Sequence, residues 1–195
     1  MDFDTVLVLG PQGSGKGTQG KLLAAKMGFL FWEMGEILRE IKAGDTPLAK
    51  KLSVMDQGVL LTDELIIEVA KAKLATISAD QGVVFDGIPR RMGQAEFLVG
   101  FLKGQKRKRP VTIFLELPRE ETFKRLLLRA QKEGRADDTP EAISERLRAY
   151  EEAIGPVTDY LKKETTFIAI DGCPSIEEIE KSIDAALGIA GERHA

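Results

Sequence analysis

Between Thr5 and Gln19 an apolar pentad, Thr-Val-Leu-Val-Leu, runs directly into Gly-Pro-Gln-Gly-Ser-Gly-Lys-Gly-Thr-Gln. No other stretch restricts the fold as much. Five residues rich in valine and leucine, stopped by glycine, read as a buried strand, and the sequence from Lys16 onward reads as a helix. Glycines at 10, 13 and 15 let the intervening backbone wrap closely. Its amide hydrogens can then point inward at an anion, helped by the helix N-terminus. Lys16 adds a full positive charge, and Thr18 an oxygen within reach of a divalent cation. Strand, loop and helix in this order make a cradle for a triphosphate. The plain alternative is a glycine-rich turn that holds nothing.

The strand-and-helix alternation continues along the chain. Thr5–Leu9, Phe29–Trp32, Gly82–Phe85, Val111–Leu117 and Thr166–Ile170 read as five buried strands. Between them, Leu61–Ile77 carries Leu65, Ile66, Val69 and Ala70 at helical spacing, and Ser144–Lys163 carries Leu147, Tyr150, Ile154 and Val157. This order predicts a three-layer α/β fold with a mainly parallel sheet, whose ligands collect at the carboxyl ends of the strands. A length of 195 residues suits one domain spanning residues 1–195, and no repeat or low-complexity tract divides it.

An apolar fraction of 43% and a charged fraction of 30% argue against a disordered, fibrous or membrane protein. With a net charge of −3, a polyanion must be met by cations gathered locally, and no general attraction to nucleic acid exists. The basic run Lys103–Arg109 has no interleaved aromatic for base stacking and reads as a solvated loop. The start, Met1-Asp2-Phe3-Asp4, is acidic, unlike a signal peptide, and no apolar run is long enough for a bilayer. A soluble cytoplasmic protein with no membrane or nucleic-acid partner is expected. Cys173 stands alone, without cysteine or histidine neighbours for a disulfide or zinc, and reads as a buried or semi-buried structural thiol.

Cations do gather elsewhere. Phe85-Asp86-Gly87-Ile88-Pro89-Arg90, with Gln94 beyond, puts a carboxylate, a sharp turn and a guanidinium at the end of the third strand, where Arg90 can grip a phosphate bidentately. Arg125 and Arg129 share a helix face. Arg135 follows on a short glycine-containing connector, Thr139-Pro140 reads as a cap and first helical residue, and Arg146 lies on the next helix. Surface ion pairs with Glu133 and Glu145 explain these arginines singly but not their joint spacing. Phosphoryl transfer needs positioning and charge neutralisation more than an acid or base, so a cage of arginines suffices and His194 need take no part.

Residues 10–19 closely resemble the opening signature of the adenylate kinase family of nucleoside monophosphate kinases, including Gly17 where most phosphate loops carry Ser or Thr. Asp86–Arg90 resembles that family's Asp-Gly-Phe-Pro-Arg, with Ile88 in place of Phe. Met34–Arg39 resembles its Thr-Gly-Asp-Met-Leu-Arg, Gly58–Leu65 its second acceptor segment, and the Arg125–Arg146 spacing its short-lid members. The likeness runs from Val6 to about Leu187. It implies a P-loop NTPase fold with a five-stranded parallel sheet, a helical acceptor-binding insertion at 34–63 and a short lid loop at 130–138.

The resemblance further implies magnesium-dependent transfer from ATP to a nucleoside monophosphate, AMP first. ATP would be held by Gly13, Ser14, Gly15, Lys16, Gly17 and Thr18, with Arg125 stacked on its base and Gly172 lining it. The acceptor would be held by Met34, Gly35, Arg39, Val59, Leu60, Leu61, Gly87, Arg90, Gln94, Arg135 and Arg146. Lys16, Arg90, Arg129, Arg135 and Arg146 would be catalytic, Asp86 would hold Mg2+ through water with Thr18 as a further oxygen, and Asp137 and Asp138 would order the lid. A monomer is expected. The chain departs from the pattern at Trp32-Glu33-Met34, where a hydroxyl near the acceptor base is usual. Methionine can pack on a base but cannot supply that hydrogen bond. Gln94, by contrast, favours adenine. A UMP/CMP kinase, a kinase of another small phosphate ester, and a nucleotide sensor without turnover therefore stay open, and Trp32 and Met34 equally fit core positions at a strand end.

Overall fold

The computed structural model describes residues 2–53, 61–133 and 139–189. The apolar runs assemble into one all-parallel sheet of five strands, β1 (Thr5–Leu9), β2 (Leu30–Glu33), β3 (Val83–Asp86), β4 (Val111–Glu116) and β5 (Thr166–Asp171), in the order β2-β3-β1-β4-β5. Every residue of β1 is buried, because helices cover both faces of the sheet. Val6 and Val8 meet Leu23 and Ala24 of α1 (Lys16–Met27) and Ile179 and Ile183 of α8 (Ile176–Leu187). Leu7 and Leu9 join a cluster with Val69 of α4 (Asp63–Leu74), Leu98 of α5 (Met92–Gly104) and Val157 of α7 (Pro140–Glu164). Each such side chain contributes about 1.5–3 kcal/mol when fully buried, so central β1 is an anchored base for the loop that follows it.

Helix starts follow local chemistry. Thr62 Oγ1 accepts from Leu65 N–H, Thr139 Oγ1 from Ala142 N–H ahead of Pro140 at the first turn, and Ser175 forms a capping box with Glu178. The stripe expected at Ser144–Lys163 and the cap at Thr139 belong to one helix of 25 residues. Between β2 and β3 lie α2 (Met34–Lys42), α3 (Pro47–Leu52) and α4. After β4, α6 (Arg119–Glu133) packs on α7 through Leu126, Ile143 and Leu147.

Several expectations need correction. β2 and β3 lie one residue later than the sequence suggests, because parallel pairing carries both on to Glu33 and Asp86. β4 ends one residue earlier and β5 one later than expected. β2 and β5 are edge strands with exposed positions, and are not buried throughout. Cys173 is exposed, since it sits past β5 in the turn before α8. Nor is Lys103–Arg109 simply a solvated loop. α5 continues through Gly104, and the Arg107 side chain, 3% exposed, donates to the carbonyls of Gln81 and Ser78 at 2.9 Å. Among the described residues, no helix is long and apolar enough to cross a membrane.

Candidate active site

The turn out of β1 depends on glycine. Gly10 has φ 149°, and a Cβ there would stand 2.7 Å from the Leu115 carbonyl oxygen of β4. Gly13 and Gly15 take left-handed φ values of 82° and 86°. α1 then starts at Lys16 with no side-chain cap, so its first amide N–H groups are left to an incoming anion. Lys16 Nζ donates to the Pro11 carbonyl at 3.2 Å, folding the ammonium over its own loop. Burial lowers its pKa to about 8, with Arg90 and Arg129 acting the same way and Asp86 and Glu33 opposing them. Thr18 is exposed beside it. Gly17 has a steric reason of its own, since a Cβ there would lie 3.2 Å from Asp86 Oδ2.

β3 delivers the second half. Asp86 is 7% exposed, and burial raises its pKa although Lys16 and Arg90 pull it down. Its Oδ1 has no hydrogen-bond partner among the described residues. Gly87, at φ 83°, turns the chain, and a Cβ on it would come within 3.3 Å of both Arg90 Nη2 and Met34 Cβ. After the cis Ile88–Pro89 peptide, Arg90 is left with exposed side-chain surface, while the protein atoms crowding it lower its pKa. Gln94 is 5% exposed and doubly engaged, accepting from Arg90 N–H and donating to Asp63 Oδ1, both at 2.8 Å.

Met34 is buried among Trp32, Phe85 and Ile88, so the structure places it in the core beside the turn. Gly35 follows on α2, exposed Arg39 lies 3.6 Å from Glu33, and Leu61 is half-buried against the same cluster. Val59, Leu60, Arg135, Asp137 and Asp138 lie outside the described residues, as do all but the first four residues of the expected lid at 130–138. On α6, Arg125 is clamped, its Nη1 and Nη2 donating at 3.0 Å to the carbonyls of Gly172 and Cys173 and its Nε to Glu121 at 2.8 Å. Gly172 in turn donates to the Glu116 carbonyl at 2.7 Å, an approach that leaves no room for a Cβ. Arg146 Nε donates to the Ala142 carbonyl on α7.

Lys16, Asp86, Arg90 and Arg129 thus share one electrostatic neighbourhood beyond the carboxyl ends of β1 and β3. Two residues join them that the sequence did not single out as site residues. Tyr150, read only as part of an apolar stripe, has a buried hydroxyl with no hydrogen-bond partner among the described residues, and the charge of Arg90 acts on it. Its position one turn beyond Arg146 was the available signal. Glu33 stood out in the sequence only as a departure from the family pattern. The orphaned Asp86 oxygen suits a hard cation that keeps most of its water and takes its other ligands from phosphates, as magnesium does.

A family model described as adenylate kinase matches residues 8–166. An adenylate kinase of Thermus thermophilus is 38% identical over 185 residues, covering 94% of this chain and 97% of the relative. One of Phocaeicola vulgatus is 39% identical over 184 residues, covering 93% and 97%, and one of Hyphomonas neptunium is 34% identical over 183, covering 93% and 97%. Likeness of this extent, joined to a phosphate cradle on a five-stranded parallel sheet, places the chain in the adenylate kinase family and makes it a phosphotransferase.

Proposed function

We propose that the chain reversibly transfers the terminal phosphoryl group of magnesium-bound ATP to AMP, giving two ADP. The observation that carries this reading is the glycine loop between β1 and α1, which ends at Lys16 and packs Gly17 against the Asp86 carboxylate. Loop amides and Lys16 bind the donor's β- and γ-phosphates, and Arg125 with Gly172 walls the donor base. Arg90 and Arg39 hold the acceptor phosphate in line, with Arg146 and Arg135 closing on the migrating group. The acceptor's own phosphate oxygen is the nucleophile, so alignment and charge neutralisation replace a general base. Bound magnesium would neutralise charge on the donor phosphates, and Asp86 would hold it through water, with Thr18 as a further oxygen. The segment 34–63 serves as the acceptor insertion and 130–138 as the lid, which excludes water from an activated phosphoryl group.

Relatives named adenylate kinase and Gln94 favour AMP. The second reading, a UMP or CMP acceptor, rests on the missing hydroxyl at Met34, whose buried side chain offers no donor to any base. A coupled assay with ATP against AMP, CMP, UMP and GMP separates them. AMP is expected to give the highest kcat/KM. Preference for CMP or UMP overturns the adenylate assignment, and no turnover with any acceptor overturns the kinase.

A pH dependence follows from Lys16. Its pKa in the folded chain, about 8, lies below the ordinary lysine value of 10.5, so the unfolded chain binds more protons between the two. The nucleotide-free protein therefore gains stability as pH rises through that window. Phosphate favours the charged ammonium, so donor binding above pH 8 must take up a proton, and donor affinity must fall with rising pH. Calorimetry of ATP binding at about pH 9, in buffers of differing ionisation enthalpy, is expected to show uptake approaching one proton per site. Uptake near zero would show that Lys16 does not change charge on donor binding and would overturn this pH dependence.

A further inference from the structure

Glu33 closes β2, and the parallel register sets it opposite Asp86 at the close of β3. Register-paired residues on neighbouring strands leave the sheet on the same side, so two carboxylates emerge together at its carboxyl edge. Both act on the Lys16 ammonium, and Glu33 acts on Asp86. Asp86 is 7% exposed, and its carboxylate is turned to the phosphate loop, where a Cβ at Gly17 would come within 3.2 Å of Oδ2. Its other oxygen, Oδ1, is buried without a hydrogen-bond partner among the described residues. A buried acceptor left unsatisfied at such a point is an opening for an ion or water.

The partners of Glu33 hold it loosely. Lys21 Nζ is 3.5 Å away and Arg39 Nη2 3.6 Å, both longer than a charge-assisted hydrogen bond, and these cations are 61% and 67% exposed. Ion pairs of this kind contribute little in water, so the carboxylate is easily redirected.

We propose that Glu33 joins Asp86 in holding, through water, the divalent cation that accompanies the phosphoryl donor. The inference rests on the donor-site reading of Asp86 given above and adds a second carboxylate to it. One or two carboxylates, phosphate oxygens and retained waters are the set that magnesium takes. Glu33 can reach because its side chain is one methylene longer than that of Asp86 beside it. Turning inward also takes its charge off Arg39, leaving that guanidinium to an acceptor phosphate.

The test is Mn2+ binding, followed by electron paramagnetic resonance, to the full chain saturated with β,γ-imido-ATP. Glu33→Gln is expected to weaken Mn2+ binding about tenfold, the loss that removing a water-mediated or supporting ligand brings. Binding of the metal-free analogue should be unchanged or tighter. Glu40→Gln, the same change of charge at an exposed residue paired with Lys73, should leave Mn2+ affinity unaltered. Affinity in Glu33→Gln within about twofold of the parent, or an equal loss in Glu40→Gln, overturns the proposal. Asp86→Asn separates the layers. Loss there with retention in Glu33→Gln overturns this inference alone, and retention in both overturns the role of Asp86 beneath it. Thermal unfolding of each variant confirms that it is folded.

Discussion

Lys16→Ala is expected to lower turnover by roughly a thousandfold while leaving the nucleotide-free fold intact. The lysine sits at the first residue of α1, and its ammonium donates to the Pro11 carbonyl of its own loop. Burial disfavours its charge strongly enough to bring its pKa to about 8. Truncation therefore deletes the charge that meets the donor phosphates and relieves a desolvated group at once. The expected signature is a coupled assay near background together with a melting temperature equal to or above that of the parent. Near-normal rates would refute the role assigned to Lys16. Lost rates with a collapsed melting temperature would mean that its task is structural.

Gly10→Ala is expected to cost about 3 kcal/mol or more, lowering the melting temperature by roughly 6–12 °C for a chain of this size. Two costs combine. The backbone holds φ 149°, where L side chains rarely go, and the new Cβ would meet the Leu115 carbonyl and Ser14 Oγ, both at 2.7 Å. Leu115 belongs to β4, which is paired on both sides, so its carbonyl cannot retreat without breaking the sheet. Gly188→Ala is the control, since that residue has φ 64° and a methyl placed on it would meet nothing within 4 Å. It should cost only about 1 kcal/mol. Equal losses in thermal unfolding would show that crowding against β4 does not fix Gly10.

The glycine turn after β1 and the sheet were legible because each is written in a few consecutive residues: an apolar run, then glycines at positions that need left-handed backbone. Strand ends were less so, since the register between β2 and β3 decides where pairing stops. Glu33 and Tyr150 were missed for a related reason. Each matters through a neighbour distant in sequence, Asp86 for one and Arg90 for the other, and only the fold supplies that neighbour. Arg107 looked solvated because its carbonyl partners, Ser78 and Gln81, precede it by 29 and 26 residues. Cys173 was misjudged from the general tendency of cysteine to be buried, whereas its place in a surface turn decided the matter.

The double engagement of Gln94 bears on how such a chain could change its acceptor over evolutionary time. Its amide oxygen takes the Arg90 backbone N–H and its nitrogen feeds Asp63, at the head of α4. Any replacement there alters arginine placement and helix seating together, two changes at once that selection would have to tolerate. The Met34 side chain has no polar partner to keep, but it is buried among apolar neighbours and abuts Gly87, so its replacements must keep about the same volume. Position 94 is therefore held by two polar partners and position 34 by shape, so exchange is easier at 34 only among apolar side chains of similar size.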